Sequence, residues 1–488
     1  MRKAFKRQRS IGSIDIGQVR LDEKCRHEII PILKGLQWIY SHPELLKMIV
    51  NLIENDTIGD KSKRHGAPGL DYWEILVLAS IRHGCDLDYD ALQDLANNHI
   101  KLRQMLGLGQ MDIKRYTRST LQQNIAKISD ETIEKISQLI VDEGHRLCPE
   151  AIEKVRGDSF VTKTDIHHPT EANLIIDGVR KMMDWAVKLA ALLSIFSWSQ
   201  QGDYWTRAKK INRKIQRVAA SKKSNRDEKL QGLHSELIEL ALQVTIKYED
   251  AISEAKQRVK KNLSIDSLLV SSFILELEKH ITFTRKVSDL AQRRVLLDEK
   301  IPNEEKIFSL FEPHTELINR GKSPYPIEFG HRVLVIQDKV GFILKFYVMD
   351  HTTDEKVVVP IMKELQQRYG RKIKAASFDK GFYTPDNLIE LGKIIPLVCL
   401  PKKGKLKEKD KQREGAPEFG EIRKWHSGIE SAIHALGVGN GLALCRDKNE
   451  KGYCRYVAFG VLGRNIQVLG SILIKKINEE QKRRAKAA

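Results

Sequence analysis

The sequence predicts an α/β protein: a mixed sheet flanked by helices, an N-terminal all-helical domain and a large helical insertion. Three observations support this prediction. Apolar residues recur at helical spacing up to about residue 150 and again between about 178 and 310. Alternating, β-branched runs occur near residue 158 and return after residue 330. The chain has 488 residues, which is too many for one ordinary core, so two or three domains are expected.

The first domain, residues 1–150, is predicted to be helical throughout. The segments "LDYWEILVLASIRHG" (70–84) and "DYDALQDLANNHIKLRQMLGLG" (88–109) each have an apolar face. In the following segment, Ser129 before Asp130 has the character of a helix cap. Short helices with basic flanks fit a DNA-binding module of the helix-turn-helix kind. A helical bundle with no role in DNA binding is the alternative.

Strand character first appears in "KVRGDSFVTKTDIHHPTEANL", which contains Asp158. We assign residues 151–178 to the first strand of the sheet domain and residues 179–324 to the helical insertion. The insertion is highly charged, with a thin apolar stripe that predicts extended helices. Its run of Lys and Arg at 207–226 fits either a solvated face or a surface that follows phosphates.

The sheet domain resumes at 325–475 and is followed by a basic tail, 476–488. The run "HRVLVIQDKVGFILKFYVMDH" predicts two strands joined by a hairpin turn at Gly341. A helix, a strand that ends before Asp379, a helix capped by Thr384, another strand and a helix with Glu430 follow. With the insertion removed, this order matches the topology of the RNase H-like fold.

Composition indicates a polyanionic partner. Lys plus Arg number 83 and Asp plus Glu 64, a formal charge of +19, which favours nucleic acid or an anionic membrane surface. The apolar stretches "WAVKLAALLSIFSW" and "YVAFGVLGRNIQVLGSILI" are expected to be core helices, because one is short and the other contains polar residues. "MRKAFKRQRS" lacks the apolar stretch of a secretory signal, and none of the six cysteines forms a CxxC pair. A cytoplasmic protein that binds nucleic acid is expected.

Three carboxylates are the candidate catalytic and metal-binding residues. Asp158 lies on the first strand, Asp379 follows the fourth, and Glu430 borders the buried stripe of the helix after the fifth. The expected topology brings them together, where they would raise one another's pKa unless cations neutralised them. Mg²⁺ accepts oxygen ligands of this kind. Two such ions about 3.5–4 Å apart would promote attack on a phosphodiester.

Other residues have simpler explanations. His426, Glu430 and His434 suggest a zinc site, but three ligands from two full turns of one helix cannot converge on one ion. Trp425 either stacks on a DNA base or packs against the sheet. The loop 401–415 has seven Lys or Arg residues and is either a phosphate-binding segment or a solvated connector. Turn, capping or buttressing roles are expected for Asp165, His167, His168, Asp338 and Asp350.

At these residues the chain resembles a family, the DDE-type transposases of bacterial insertion sequences, most closely the ISNCY group. The resemblance lies in "VRGDSFVTKTDIHHPTEANLIIDGVR", "INRGKSPYPIEFGHRVLV", "FDKGFYTPDN" and the segment that begins "HSGIESAIHALGVGNG". It implies a catalytic triad of Asp158, Asp379 and Glu430. It also implies cleavage of transposon ends and transfer of the 3′ ends into target DNA, with two Mg²⁺ (or Mn²⁺) ions.

The expected partners are double-stranded DNA, both transposon ends and target, and further copies of the chain in a homodimer or larger assembly near the bacterial nucleoid. One departure stands out. Many related transposases have an arginine four residues before the glutamate and a lysine seven after it, where this chain has His426 and Gly437. Arg423, Lys424 or Arg446 would have to replace them. A non-catalytic DNA-binding protein and a metal-dependent nuclease without strand transfer are the alternative functions.

Overall fold

The computed structural model describes residues 12–58, 69–193, 201–261, 267–321 and 326–487. The protein is α/β and 65% helical, with an open mixed sheet of seven strands flanked by helices. This confirms the predicted α/β class with a mixed sheet. The chain divides into two compact units, Met1–Asp165 with Ile318–Ala488, and Ile166–Leu317.

Seven helices precede the sheet in the described part of the chain. They are α1 (Ile29–Ser41), α2 (Pro43–Ile58), α3 (Tyr72–Gly84), α4 (Tyr89–Asn98), α5 (Ile100–Met105), α6 (Arg118–Ile125) and α7 (Asp130–Leu147). The starts of α4, α6 and α7 follow local capping chemistry, in which a side-chain oxygen accepts a hydrogen bond from an otherwise unpaired N–H. Asp71 and Glu74 form a reciprocal capping box on α3. Ser129 caps α7 as predicted, accepting from the Thr132 N–H at 3.2 Å.

The sheet has the strand order β2-β3-β1-β5-β6, with β4 also paired to β3 and β7 paired to β1. Its strands are β1 (Lys154–Thr164), β2 (Glu316–Asn319), β3 (Ile327–Asp338), β4 (Ile343–Val348), β5 (Ala375–Phe378), β6 (Leu397–Cys399) and β7 (Leu444–Cys445). β1 is antiparallel to β3 and parallel to β5 and β7. The boundary between the two units falls inside β2, and we describe that strand with the sheet.

The predicted hairpin joins β3 to β4. Gly341 has φ +108°, a conformation that favours glycine. The Asp338 carboxylate accepts hydrogen bonds from the N–H groups of Val340, Gly341 and Phe342 at 2.8–3.0 Å. Asp338 is therefore the turn residue that the sequence predicted.

Six helices accompany the later strands in the described residues. They are α12 (Asp354–Arg368), α13 (Pro385–Ile394), α14 (Glu408–Gly415), α15 (Pro417–His426), α16 (Gly428–His434) and α17 (Glu450–Ala487). The predicted start of α13 is confirmed, because Thr384 accepts from the Asn387 N–H at 3.0 Å and Pro385 opens the helix. The single helix predicted around Glu430 is instead two helices, divided at Ser427.

The N-terminal helices and the sheet share one hydrophobic core. Leu36 of α1, Leu76 of α3, Ile140 of α7, Leu334 of β3 and Leu462 of α17 belong to the same buried cluster. The boundaries predicted at residues 150 and 475 therefore do not separate compact units. The segment predicted as a basic tail continues α17 to Ala487.

Residues Glu450–Lys486 of α17 are long and apolar enough to cross a membrane by length and composition, and no other described helix meets that test. Within its most apolar window, 72% is buried inside the protein. Core helices of soluble proteins pass the same test, so this is weak evidence for a span.

The second unit contains α8 (Glu171–Leu192), α9 (Gln201–Ala219), α10 (Arg226–Lys261) and α11 (Ser267–Ala291). These helices enclose a core of their own, which includes Val179, Ile211, Leu237 and Leu277. The unit begins at Ile166 and ends at Leu317. The sequence assigned the insertion to 179–324, so its start lies earlier than predicted because α8 belongs to it.

Glycines allow α17 to approach α1 closely. A Cβ atom added at Gly470 would overlap the carbonyl oxygen of Pro31, and one added at Gly35 would overlap the carbonyl oxygen of Ile466. Both obstacles are backbone atoms, which cannot rotate away as a side chain can. Any larger residue would therefore have to separate the two helices.

We expect Gly470→Ala to lower the free energy of unfolding by roughly 1–3 kcal/mol or more, because overpacking a rigid contact costs about that much. Gly392→Ala on α13 is the matched control, since nothing lies within 4 Å of its added Cβ. It should be neutral or gain up to about 1 kcal/mol from helix propensity. Urea denaturation followed by circular dichroism measures both, and a Gly470→Ala protein as stable as wild type would contradict this close approach.

Candidate active site

Asp158 of β1 and Asp379, the residue that follows β5, lie next to each other at the end of two neighbouring parallel strands. The last registered pair of β1 and β5 is Gly157 with Phe378, and the two aspartates are the residues that follow this pair. Adjacent strands are about 4.8 Å apart. Asp158 is half-buried and Asp379 is exposed. The pair therefore lies at the carboxyl end of β5, the edge at which α/β sheets place ligands.

The sheet opens at this point. β5 ends at Phe378, whereas β1 continues and pairs with β7 only at Lys163 and Thr164. The β1 residues from Asp158 to Thr162 have register partners on β3 alone among the described strands. Asp158 thus lies at the start of a gap between the ends of β5 and β7, where β1 has a described strand partner on one side only.

Arg156 identifies the face of the sheet to which Asp158 points. It donates hydrogen bonds to the Trp425 carbonyl oxygen at 2.6 Å and to the Gln337 side chain at 2.9 Å. Its guanidinium lies 4.7 Å from the centroid of the Trp425 ring. Because alternate residues of a strand share a face, Asp158 lies on the same side of the sheet as α15 and α16, the helices that lead to Glu430.

Residue 428, the first of α16 and two positions before Glu430, is a glycine for a steric reason. A Cβ atom at Gly428 would overlap the Arg156 guanidinium, which is already held by its two hydrogen bonds. Trp425 packs on Arg156, a residue of β1. This fits the predicted role in which Trp425 packs against the sheet. Arg156 lies in the quoted "VRGDS" segment, but sequence reasoning did not single it out.

His426 lies close enough to two of the predicted acids for their charges to affect its pKa. Burial lowers the pKa of His426, while the carboxylates of Asp379 and Glu430 act to raise it. The Arg156 guanidinium adds to the lowering. Its Nδ1 atom is buried without a hydrogen-bond partner in the described structure. Glu430 itself is exposed, whereas Ile429 and Ala432 of the same helix are buried, so Glu430 borders a buried stripe as predicted.

Asp354, at the start of α12, is a further carboxylate that the sequence analysis missed. Burial raises its pKa; the charge of Asp379 adds to this, and the Ser159 hydroxyl and the Arg332 guanidinium oppose it. Arg332 lies 3.6 Å from its Oδ2 atom. The Oδ1 atom of Asp354 is buried without a hydrogen-bond partner among the described residues. Acids at helix starts are common for reasons of the helix dipole, so no local signal distinguished Asp354.

The structure gathers one group of metal-ligand side chains closely. Among the described residues, Glu316, His331 and Asp350 have ligand atoms that all lie within 4.8 Å of one another, so they could hold a metal ion. Asp158, Asp379 and Glu430 do not form such a group. The zinc alternative of His426, Glu430 and His434 does not form one either, and these residues are divided between two helices.

The donors near Asp379 nevertheless suit a hard divalent cation. They are carboxylate oxygens, the ligands that Mg²⁺ and Mn²⁺ prefer. The partnerless, buried Oδ1 atom of Asp354 is an acceptor of the kind that a cation would satisfy. Asp158, Asp379 and Glu430 are still the predicted ligands, and Asp354 lies near Asp379.

The basic residues proposed as phosphate contacts differ in their surroundings. Arg446 donates to the carboxylate of Asp86, whereas Arg423 and Lys424 are exposed on α15. In the segment 401–415, α14 replaces most of the predicted loop, and Lys402–Asp410 and Arg413–Glu414 are ion pairs. Arg423 and Lys424 are thus better placed than Arg446 to contact a ligand.

No protein-family model matches this chain, no curated protein matches its sequence, and no solved structure matches its fold. The resemblance to DDE-type transposases therefore rests on the quoted segments and on the arrangement of their carboxylates.

We expect Mg²⁺ or Mn²⁺ to raise the melting temperature of the protein, because a ligand that binds only the native state stabilises it, by about 2.7 kcal/mol at a concentration of 100 Kd. Asp379→Asn should remove most of this rise, since it deletes one ligand charge. Asp350→Asn should leave it intact, because that residue belongs to the other group. Differential scanning fluorimetry with and without metal tests this, and the opposite pattern would move the metal site to Glu316, His331 and Asp350.

Proposed function

We propose that the protein is a DDE-type transposase with an RNase H-like catalytic domain, which cleaves transposon-end DNA and transfers the 3′ ends into target DNA. One observation carries the proposal: Asp158 and Asp379 directly follow the last β1–β5 register pair, Gly157 with Phe378, on the face next to the helices that lead to Glu430. The strand order adds support. β3 lies between β1 and β4 and is antiparallel to both. On the other side of β1, β5 pairs in parallel with β1, and β6 pairs in parallel with β5.

In this proposal Asp158, Asp379 and Glu430 hold two Mg²⁺ or Mn²⁺ ions, which, when bound, would activate the attacking oxygen and stabilise the leaving oxygen of a phosphodiester. The chain's own contribution is orientation. The Gly381 N–H donates to Asp379, the Ser159 N–H donates to Asp158 at 2.7 Å, and Arg156 holds the start of α16 close to β1. These contacts restrict the rotation of the Asp158 and Asp379 carboxylates and the position of α16.

The charge balance supports DNA as the substrate. A formal charge of +19 attracts a polyanion over long distances and concentrates it at the surface. Recognition of the transposon ends by residues 1–150 remains part of the proposal. Because these helices share their core with the sheet, end recognition has to be tested in the full chain and not in an isolated N-terminal fragment.

We expect Asp158→Asn, Asp379→Asn and Glu430→Gln each to abolish DNA cleavage while folding and DNA binding remain close to normal. Each change removes a ligand charge but keeps the size and shape of the side chain. Losses of 10²-fold or more are expected, because electrostatic stabilisation of this kind contributes several kcal/mol to the barrier. The measurement is cleavage of labelled terminal-repeat DNA by the full chain with Mg²⁺.

Asp350→Asn is the matched control and should cleave at a rate near that of wild type. Near-normal cleavage by any of the three triad variants would remove that residue from the active site. The same reaction should also yield joined product, in which a labelled 3′ end is attached to target DNA. Cut product without joined product would instead identify a metal-dependent nuclease.

A further inference from the structure

The outer face of α9 carries a row of cations. The helix contains six Lys or Arg residues and a single acid, Asp203. Ala208, Ile211 and Ile215 are buried in the core of the second unit, so the opposite face is directed to solvent. Five cations are exposed on it, namely Arg207, Lys210, Arg213, Lys214 and Arg217.

These five positions form one continuous stripe. At about 100° per residue they fall within an arc of about 120°, on the side of the helix away from its buried residues. From Arg207 to Arg217 the stripe is about 15 Å long at about 1.5 Å per residue. A double helix presents one phosphate charge per about 1.7 Å of its axis. A stripe of this length can therefore lie against several phosphates at once.

None of the five cations forms an ion pair with another described residue. Other exposed cations of the same unit do: Lys256 pairs with Glu278 at 2.9 Å, Arg258 with Glu254 at 2.7 Å and Arg285 with Glu249 at 2.6 Å. Those pairs are typical of a solvated, internally neutralised surface. Like charges at i, i+3 and i+4 destabilise a helix, so the α9 stripe is an arrangement that a bound polyanion would relieve.

We propose that the stripe Arg207–Arg217 binds the phosphate backbone of double-stranded DNA. This inference rests on the proposed function only for the identity of the polyanion. Phosphate binding by the stripe requires neither a metal ion nor any residue of the acid triad. A membrane surface fits less well. An interfacial helix buries its apolar face in lipid, whereas the apolar face of α9 is occupied by the core of its own unit, and the large hydrophobic residues exposed in the described structure include none from α9.

The test uses the full chain in which all five cations are changed to Gln, which keeps helix propensity. Binding to a 30-base-pair duplex is measured in EDTA at a series of salt concentrations, so that no cleavage contributes. Each lost phosphate contact lowers the slope of log K against log salt by about 0.9. We expect the slope to fall by about 2–4 and the affinity at low salt to fall at least about tenfold.

A control variant removes the same number of charges from paired positions. Lys256, Arg258, Arg285, Lys363 and Lys393 are exposed and each forms an ion pair with a glutamate. Changing these five to Gln gives the same net charge and should change the salt slope by less than about 1, since they contact no phosphate. A second variant, Asp203→Asn, removes the only acid of α9 and should tighten binding by about two- to threefold.

An α9 variant that matches the control variant in slope and affinity, or an Asp203→Asn protein that binds no tighter than wild type, would overturn the inference. So would stripe-dependent binding to anionic phospholipid vesicles as tight as binding to the duplex. These outcomes leave the proposed function untouched, because cleavage depends on the triad. Conversely, stripe-dependent DNA binding in a protein whose triad variants still cleave would support the stripe and refute the triad.

Discussion

The pairing of β1 is the constraint on which the rest of the structure depends. In the sequence, β1 comes between the N-terminal helices and the insertion. In the sheet, however, it pairs with β3 and β5, which occur more than 160 residues later. This pairing joins the two segments of the chain that form the first unit. It also sets the register that brings Asp158 beside Asp379. A slip of one residue would turn Asp158 to the opposite face, away from the helices that lead to Glu430.

The N-terminal helices and the sheet domain, which the sequence suggested were separate domains, pack against each other. α17 lies against α1 with backbone almost touching backbone, because Gly35 and Gly470 leave room for it. Arg82 of α3, which is 2% exposed, pairs with Asp447 at 2.7 Å and lies 3.9 Å from the Tyr89 ring centroid. A buried ion pair of this kind is costly to break on one side only. The N-terminal helices are thus fixed to the end of the sheet domain.

Charge is distributed unevenly between paired and unpaired sites. Many described acids are neutralised locally, as Asp410 is by Lys402. The five exposed cations along α9 form no ion pair with another described residue. Carboxylates near the sheet gap favour cations, and the α9 stripe favours phosphates. Both features fit the proposed function, and neither depends on the other.

The sequence by itself determined the features that depend on near neighbours. The cap at Thr384, the hairpin at Gly341 and the strand that ends before Asp379 are local, and all are present in the structure. Tertiary structure decided the rest. No periodicity could reveal that Asp354 approaches Asp379 or that Arg156 supports α16, because tertiary packing alone brings these separate elements together. The core that the N-terminal helices share with the sheet was hidden for the same reason: helix patterns show which face is apolar, but not which other element covers it.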